Sequence, residues 1–326
     1  MKALIGPILH GILGHTDQVR LARFGGFHAA TLDDLIMAHR EGFGDYGVSF
    51  EYGIHHAIES NKHPGIVERV SDVLYNHCNI DGRVPISILF GLEKSKALNI
   101  LGKAKKVLND DSTLLTGKKG RSVNILRHLD ELDRGYHGRK GGAVIPPSIG
   151  GIGKADLFLG MADSNKWVAA TVKSNAKKIR GGVGLRVGFV PADSEGIRSD
   201  KIHKDKGLII CPLPYDGDFM DQFDDTWRMV ETLFRGNGKF TRASIPASHH
   251  HLARWLLKLR DVPVSGIIHS LEKAAPKRIV DLDCFRYQQI EALKYKPARK
   301  RASGPKLEQQ TFKEVSMIFA PEPMFK

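Results

Sequence analysis

GGIGKADLFLGMADSNKWVAATVKSN, residues 150–175, reads as a β-hairpin with an acid on one strand and a lysine on the other. Lys154–Ala162 and Lys166–Lys173 are apolar enough for strands, and Asp163, Ser164 and Asn165 between them are turn formers. Antiparallel pairing about Ser164 brings Asp156 opposite residues 171–173. Strand alternation then puts Thr171 and Lys173 on one face and Val172 on the other. An aspartate and a lysine meeting across a hairpin suit metal-assisted phosphodiester chemistry. The carboxylate holds a hard cation such as Mg²⁺, and the ammonium positions water or steadies phosphorane charge.

This hairpin resembles the core of the PD-(D/E)XK nucleases, a fold of restriction and DNA-repair enzymes. Asp156 matches the family aspartate, with Ala155 where proline is common, and Lys173 matches the lysine. The middle position of the acid-X-Lys triplet departs from the pattern, because Thr171 stands where Asp or Glu is usual. A hydroxyl is a weaker ligand than a carboxylate, so another acid must compensate or the site is impaired. Residues 49–60, SFEYGIHHAIES, resemble the first helix of the same family, with Ile54, His55 and Ile58 at helical spacing behind Glu51. Glu51 has two readings: a third group joining Asp156 and the Val172 carbonyl around the ion, or a carboxylate favoured by a helix N-terminus.

The resemblance implies a restriction-endonuclease-like mixed α/β sheet core flanked by helices, with helical additions at both ends. It implies Mg²⁺, or Mn²⁺, held by Asp156, Glu51 and Val172, with Lys173 and Thr171 completing the site. Ser174 and Asn175 extend it as groups able to bond phosphate oxygens. The activity implied is DNA endonuclease cleavage, in restriction-modification or antiviral defence. The alternative is a catalytically inert nucleic-acid-binding subunit of a defence or repair complex on the same fold. A third reading makes the hairpin a coincidence and the charge a matter of solubility.

Charge is an independent clue. Lysine and arginine outnumber aspartate and glutamate by 49 to 36, a net +13, which favours polyanion binding through counterion release. Lys103, Lys105, Lys106, Lys118, Lys119 and Arg121 are followed by Arg134, Arg139 and Lys140 just before the hairpin. A second run holds Lys294, Lys296, Arg299, Lys300, Arg301 and Lys306 among Pro, Ala, Ser and Gly, an aperiodic arm suited to phosphates. The expected partner is double-stranded DNA. Two-strand cleavage favours a homodimer, and a protein partner in a defence complex fits the alternative.

At 326 residues and 41% hydrophobic composition the chain has ample core material. No apolar run is long enough to span a bilayer. Cys78, Cys211 and Cys284 form neither a disulfide framework nor a zinc pattern, which points to a reducing, cytoplasmic setting.

Three regions are expected: a mostly helical 1–140 with an insertion after the first core helix, an α/β core over 141–235, and a basic, helical 236–326. MKALIGPILHGILGH at the N-terminus reads as a first strand and loop. Val84–Phe90, Gly184–Pro191 and Gly207–Pro214 read as strands. Ile66–Asn76, Lys94–Asp111, Ser122–Leu132 (capped by Ser122), Asp221–Phe234, His249–Leu259 and Asp283–Leu293 read as helices.

Other features read as structural. Asp216 and Asp218 suit a loop entering a helix, and the His249–His251 triplet fans around a helix with no i+4 partner. Gly150–Lys154 lacks the first glycine and the Ser/Thr of a phosphate loop. Of His55 and His56, one reads as a buried helix residue and the other as a base or DNA contact. Trp167 reads as core.

Overall fold

A computed structural model describes residues 1–26, 28–39, 45–61, 63–90, 104, 107–115, 122–130, 155–179, 185–192, 194–213, 219–240 and 245–274. The readings for Gly150–Lys154, Asp216, Asp218 and Asp283–Leu293, and most of that for Lys94–Asp111, lie outside these residues.

In chain order the helices are α1 (Lys2–His15), α2 (Gln18–Ala22), α3 (Leu32–Ala38), α4 (Asp45–Ser60), α5 (Pro64–Cys78), α6 (Phe219–Arg235), α7 (His250–Leu257) and α8 (Val264–Ala274). The strands are β1 (Pro85–Leu89), β2 (Thr113–Leu114), β3 (Val123–Asn124), β4 (Leu157–Met161), β5 (Lys166–Val172), β6 (Arg186–Pro191), β7 (Lys201–His203) and β8 (Leu208–Leu213). All eight join one mixed sheet, with the main path β1-β4-β5-β6-β8-β7 and β2–β3 attached to the start of β5. The expected hairpin is present: β4 and β5 pair antiparallel with Leu157 opposite Ala170 and Gly160 opposite Trp167. β5, β6 and β8 run parallel, and the edge strands β1 and β7 are antiparallel to their neighbours.

The central strands are apolar on both sides because both faces are covered. On one face Leu157, Leu159, Val168, Ala170, Val172, Val187 and Phe189 share a core with α1, α4, α5, α6, α7 and α8. That core contains residues from Leu4 to Leu271, so the two ends of the described chain close over the same side of the sheet. On the other face the core is split in two. Ile88, Phe90, Phe158, Trp167 and Ala169 meet Ala104, Leu108, Leu114, Ile125 and Leu129. Val190, Leu208 and Ile210 meet Ala176, Ile179 and Ile197.

α1 corrects the reading of the N-terminus as a strand and loop. Leu4, Ile5, Ile8, Leu9, Ile12 and Leu13 are all buried, so the segment is apolar around most of its circumference and carries little periodic signal. Pro7 sits inside the helix, and tertiary burial overrides its local penalty. The helix after Ser122 also begins later than expected. Val123 and Asn124 pair with β2, residues 125–130 are helical, and the Asn124 side chain caps that turn by accepting from the Arg127 N–H at 2.7 Å.

α5 is tied to the β7–β8 edge of the sheet by a polar cluster. Arg69 donates from Nε to the Pro212 carbonyl at 3.0 Å and from its two terminal nitrogens to both oxygens of Asp200. His77 Nε2 lies 2.7 Å from Asp200 Oδ2. Burial alone would raise the Asp200 pKa, but the hydrogen bonds and charges of Arg69 and His77 outweigh it, and the net shift is downward. A depressed carboxylate contributes stability that is fully present above its unfolded range, about pH 4, and is lost as pH falls through the folded value. Asp200→Asn is expected to cost about 1–3 kcal/mol in urea unfolding at pH 7. The gap between wild type and variant should close in strong acid.

Candidate functional site

The residues that the hairpin and first-helix resemblance single out converge at the C-terminal end of β5. Asp156 lies one residue before β4, and extending the β4–β5 register places it across from Thr171. Its backbone N–H donates to the Ala170 carbonyl at 2.9 Å, and its Oδ2 accepts the Val172 N–H at 3.0 Å. The carboxylate is therefore built into the ladder and its orientation is fixed by backbone. Lys173, one residue beyond β5, is placed by its own N–H, which donates to the Phe189 carbonyl at 3.0 Å. Its Nζ donates to Asp156 Oδ2 at 2.7 Å and to Glu51 Oε1 at 2.9 Å.

Glu51 comes from α4, not from the sheet, and two close helix contacts hold it there. Two residues earlier, Ser49 packs so tightly against Gly11 of α1 that a Cβ on Gly11 would lie 2.6 Å from the Ser49 Cα. The Ser49 hydroxyl also donates to the Ile8 carbonyl at 3.1 Å. Two residues later, Gly53 admits the Phe223 ring of α6, which a Cβ would approach to 2.9 Å. The position of Glu51 is thus set by α1 and α6 together. It lies within the helix and not at its first turn, so the N-terminal dipole is not its main partner.

Glu51 and Asp156 are 3% and 7% exposed, so their charges need compensation. Lys173 supplies it to both at once. Burial alone would lower the Lys173 pKa, but the two carboxylates outweigh it and the net shift is upward, keeping the ammonium charged at neutral pH. Burial, followed by the Glu51 charge, pushes the neighbouring Tyr52 hydroxyl up to about 12.

Arg186 is the site residue that the sequence reading missed. It opens β6 beside Ala169, which by strand alternation puts it on the same sheet face as Thr171 and Gly188. It is buried, its pKa lowered by desolvation and partly restored by the charge of Asp156. Arg186, Thr171 and Asp156 therefore form a polar strip between the two apolar clusters of that face.

The remaining candidates fall in different places. Thr171 is buried beside Asp156, and Val172 packs into the main core. Ser174 is half-buried next to Lys173. Asn175 caps a short 3₁₀ turn by accepting from the Lys177 N–H at 2.8 Å and donates to Glu195 at 3.0 Å, a structural role. Arg139, Lys140, Arg299, Lys300 and Arg301 lie outside the described residues. His55 Nδ1 lies 2.5 Å from the Ser87 hydroxyl on β1, one helical turn from Glu51. His250 and His251 approach backbone carbonyls, while His249 Nε2 is 3.9 Å from Asp225 of α6. Trp167 is core, as its strand position suggests.

Among the described residues no group of three or more His, Cys, Asp or Glu side chains converges on one point. The site offers two carboxylates, which is the complement that Mg²⁺ uses when waters and substrate phosphates complete its shell. Hard oxygen donors are the right class for that ion. Among the described residues no helix is long and apolar enough to cross a membrane. No family model, curated protein or solved structure matches the chain.

Proposed function

We propose that this chain is a metal-dependent nuclease that hydrolyses phosphodiester bonds in DNA, in a setting of restriction or antiviral defence. The observation that carries the reading is that Lys173 bridges Glu51 and Asp156, three residues from a helix and the two strands of a hairpin. Carboxylates 105 positions apart in sequence are brought to one ammonium at the open end of a sheet. The bridge supports reading the hairpin as a restriction-endonuclease-like core, in which Glu51 would stand in for the acid absent at 171.

Glu51 and Asp156 would hold Mg²⁺ or Mn²⁺, which supplies Lewis acidity at the scissile phosphate and a more acidic bound water. Asp156 is pre-aimed by the Val172 N–H and needs no reorganisation on binding. Lys173 holds its charge at neutral pH and lies where it can orient water or steady the developing phosphorane. Thr171, neutral and buried, leaves the anionic ligands to Asp156 and Glu51. The net charge of +13 supports a polyanionic substrate.

The test is incubation of purified protein with plasmid DNA in Mg²⁺, in Mn²⁺ and in EDTA. Cutting in metal alone is the expected result. Salt-sensitive binding without cutting in any metal would favour the inert subunit, a reading that Thr171 at the middle position specifically supports. Absence of both would remove the nucleic-acid reading altogether.

A further inference from the structure

The loop that leaves the C-terminal end of β5 carries a separate polar arrangement just beyond Lys173. Asn175 Nδ2 donates to Glu195 Oε1 at 3.0 Å, and Lys177 Nζ lies 2.7 Å from Glu195 Oε2, so one carboxylate takes a donor on each oxygen. The backbone around the donors is fixed. Asn175 Oδ1 accepts the Lys177 N–H at 2.8 Å, the Ala176 N–H donates to the Ser194 hydroxyl at 3.1 Å, and Ala176, Ile179 and Ile197 share a small core with Val190. The acid is less comfortably placed. Glu195 stands in the left-handed region, at φ 53° and ψ 34°, which a residue with a β-carbon adopts at a cost. The hydrogen bonds of Lys177 and Asn175 hold its carboxyl below the usual range, so it is an anion at neutral pH.

We propose that Asn175 and Lys177 form a phosphate-binding site for the DNA strand flanking the cut, and that Glu195 is the internal anion that occupies it until a backbone phosphate displaces it. The proposal rests on the nuclease reading for its substrate. A phosphodiester presents what the carboxylate presents, one negative charge shared by two acceptor oxygens. The Cα atoms of Lys173 and Lys177 are at most about 14 Å apart, the reach of the chain between them. That span is about four nucleotide steps of a strand at about 3.4 Å each, so the phosphate concerned is a near neighbour of the one at Lys173. Exchange is easy, because the Lys177 side chain is 77% exposed and an ion pair in water contributes little. Asn175 keeps its cap through Oδ1 while Nδ2 changes partner. Glu195 is therefore a built-in competitor of DNA that acts through Lys177.

The experiment is fluorescence anisotropy of the full chain with a labelled short DNA duplex, in EDTA and in Ca²⁺, on a double-mutant cycle. Glu195→Gln should bind about two- to fivefold more tightly than wild type, the range that an exposed ion pair spans. On a Lys177→Met background the same substitution should change little, because its charged partner is gone. In the Glu195→Gln background, Lys177→Met should lower the slope of log affinity against log salt by about 0.9, the loss of one phosphate contact. Glu195→Asn, neutral and suited to a left-handed backbone, covers the case in which the glutamine variant distorts the loop. Equal tightening on both backgrounds would make Glu195 a general repulsive charge and overturn the proposal. So would no tightening in either neutral variant, or a salt slope that ignores Lys177. Coupling without plasmid cleavage leaves the phosphate site standing and favours the inert DNA-binding subunit. Plasmid cleavage without coupling keeps the nuclease reading and removes this site. A chain that binds no duplex in either solution overturns both.

Discussion

Asp156→Asn is expected to lower metal-dependent cleavage by about a thousandfold or more while leaving the chain folded, since removing one preorganised electrostatic group typically costs about 10²–10³ in rate and Asp156 serves two roles. The amide is isosteric, and its oxygen can still accept the Val172 N–H, so the β4–β5 ladder survives. What is lost is the charge that pairs with Lys173 and the anionic ligand proposed for the metal. Glu51→Gln should lose about a hundredfold, and the double variant should be little worse than Asp156→Asn alone, because groups that act as one unit are not additive. Circular dichroism and urea unfolding beside the cleavage assay separate loss of function from loss of fold. Additive losses would mean that Glu51 acts outside the Asp156 site.

Gly11→Val is expected to cost about 3 kcal/mol, the upper end for overpacking a close contact, and to reduce cleavage as well. The added carbons meet backbone atoms of Ser49, which cannot rotate away, so α1 and α4 must separate. Glu51 is two residues further along α4 and must move with it, away from Lys173. Gly47 is the internal control: it lies in the same helix, and a Cβ there meets nothing within 4 Å. Gly47→Ala should hold or raise stability by about 0.5–1 kcal/mol, the helix-propensity difference, with cleavage unchanged. Thermal melts and initial rates on the same preparations check both. A Gly11→Val protein with wild-type cleavage would contradict the claim that the α1–α4 contact positions the site.

The half of the site that is local in sequence was legible there. Asp156 and Lys173 sit on one hairpin, and a two-residue period with turn chemistry at Asp163–Asn165 is enough to bring them together. Glu51 was legible only as a helix residue with two readings, because its partners on the sheet lie more than a hundred residues away. Arg186 looked like a strand-end residue in GLRVGFVP; its role depends on the parallel register with β5, which no local pattern encodes. The Arg69–Asp200–His77 cluster escaped for the same reason.

Fold elements divide along similar lines. α6 was legible from Phe223, Val230 and Phe234 on one face, and the central strands from apolar runs bounded by Gly or Pro. α1 was not, since a helix buried on most sides loses its period and Pro7 argues against it. β2, β3 and β7 are two or three residues long, and pairing with neighbours defines them more than side-chain pattern does.

The measurement that tests the central claim most directly is a crystal structure of the full chain with a short DNA duplex and Mn²⁺, read by the anomalous signal of manganese. The account predicts a manganese peak at the Glu51 and Asp156 carboxylates, beside the phosphate to be cut. A bound duplex with manganese located elsewhere would contradict it.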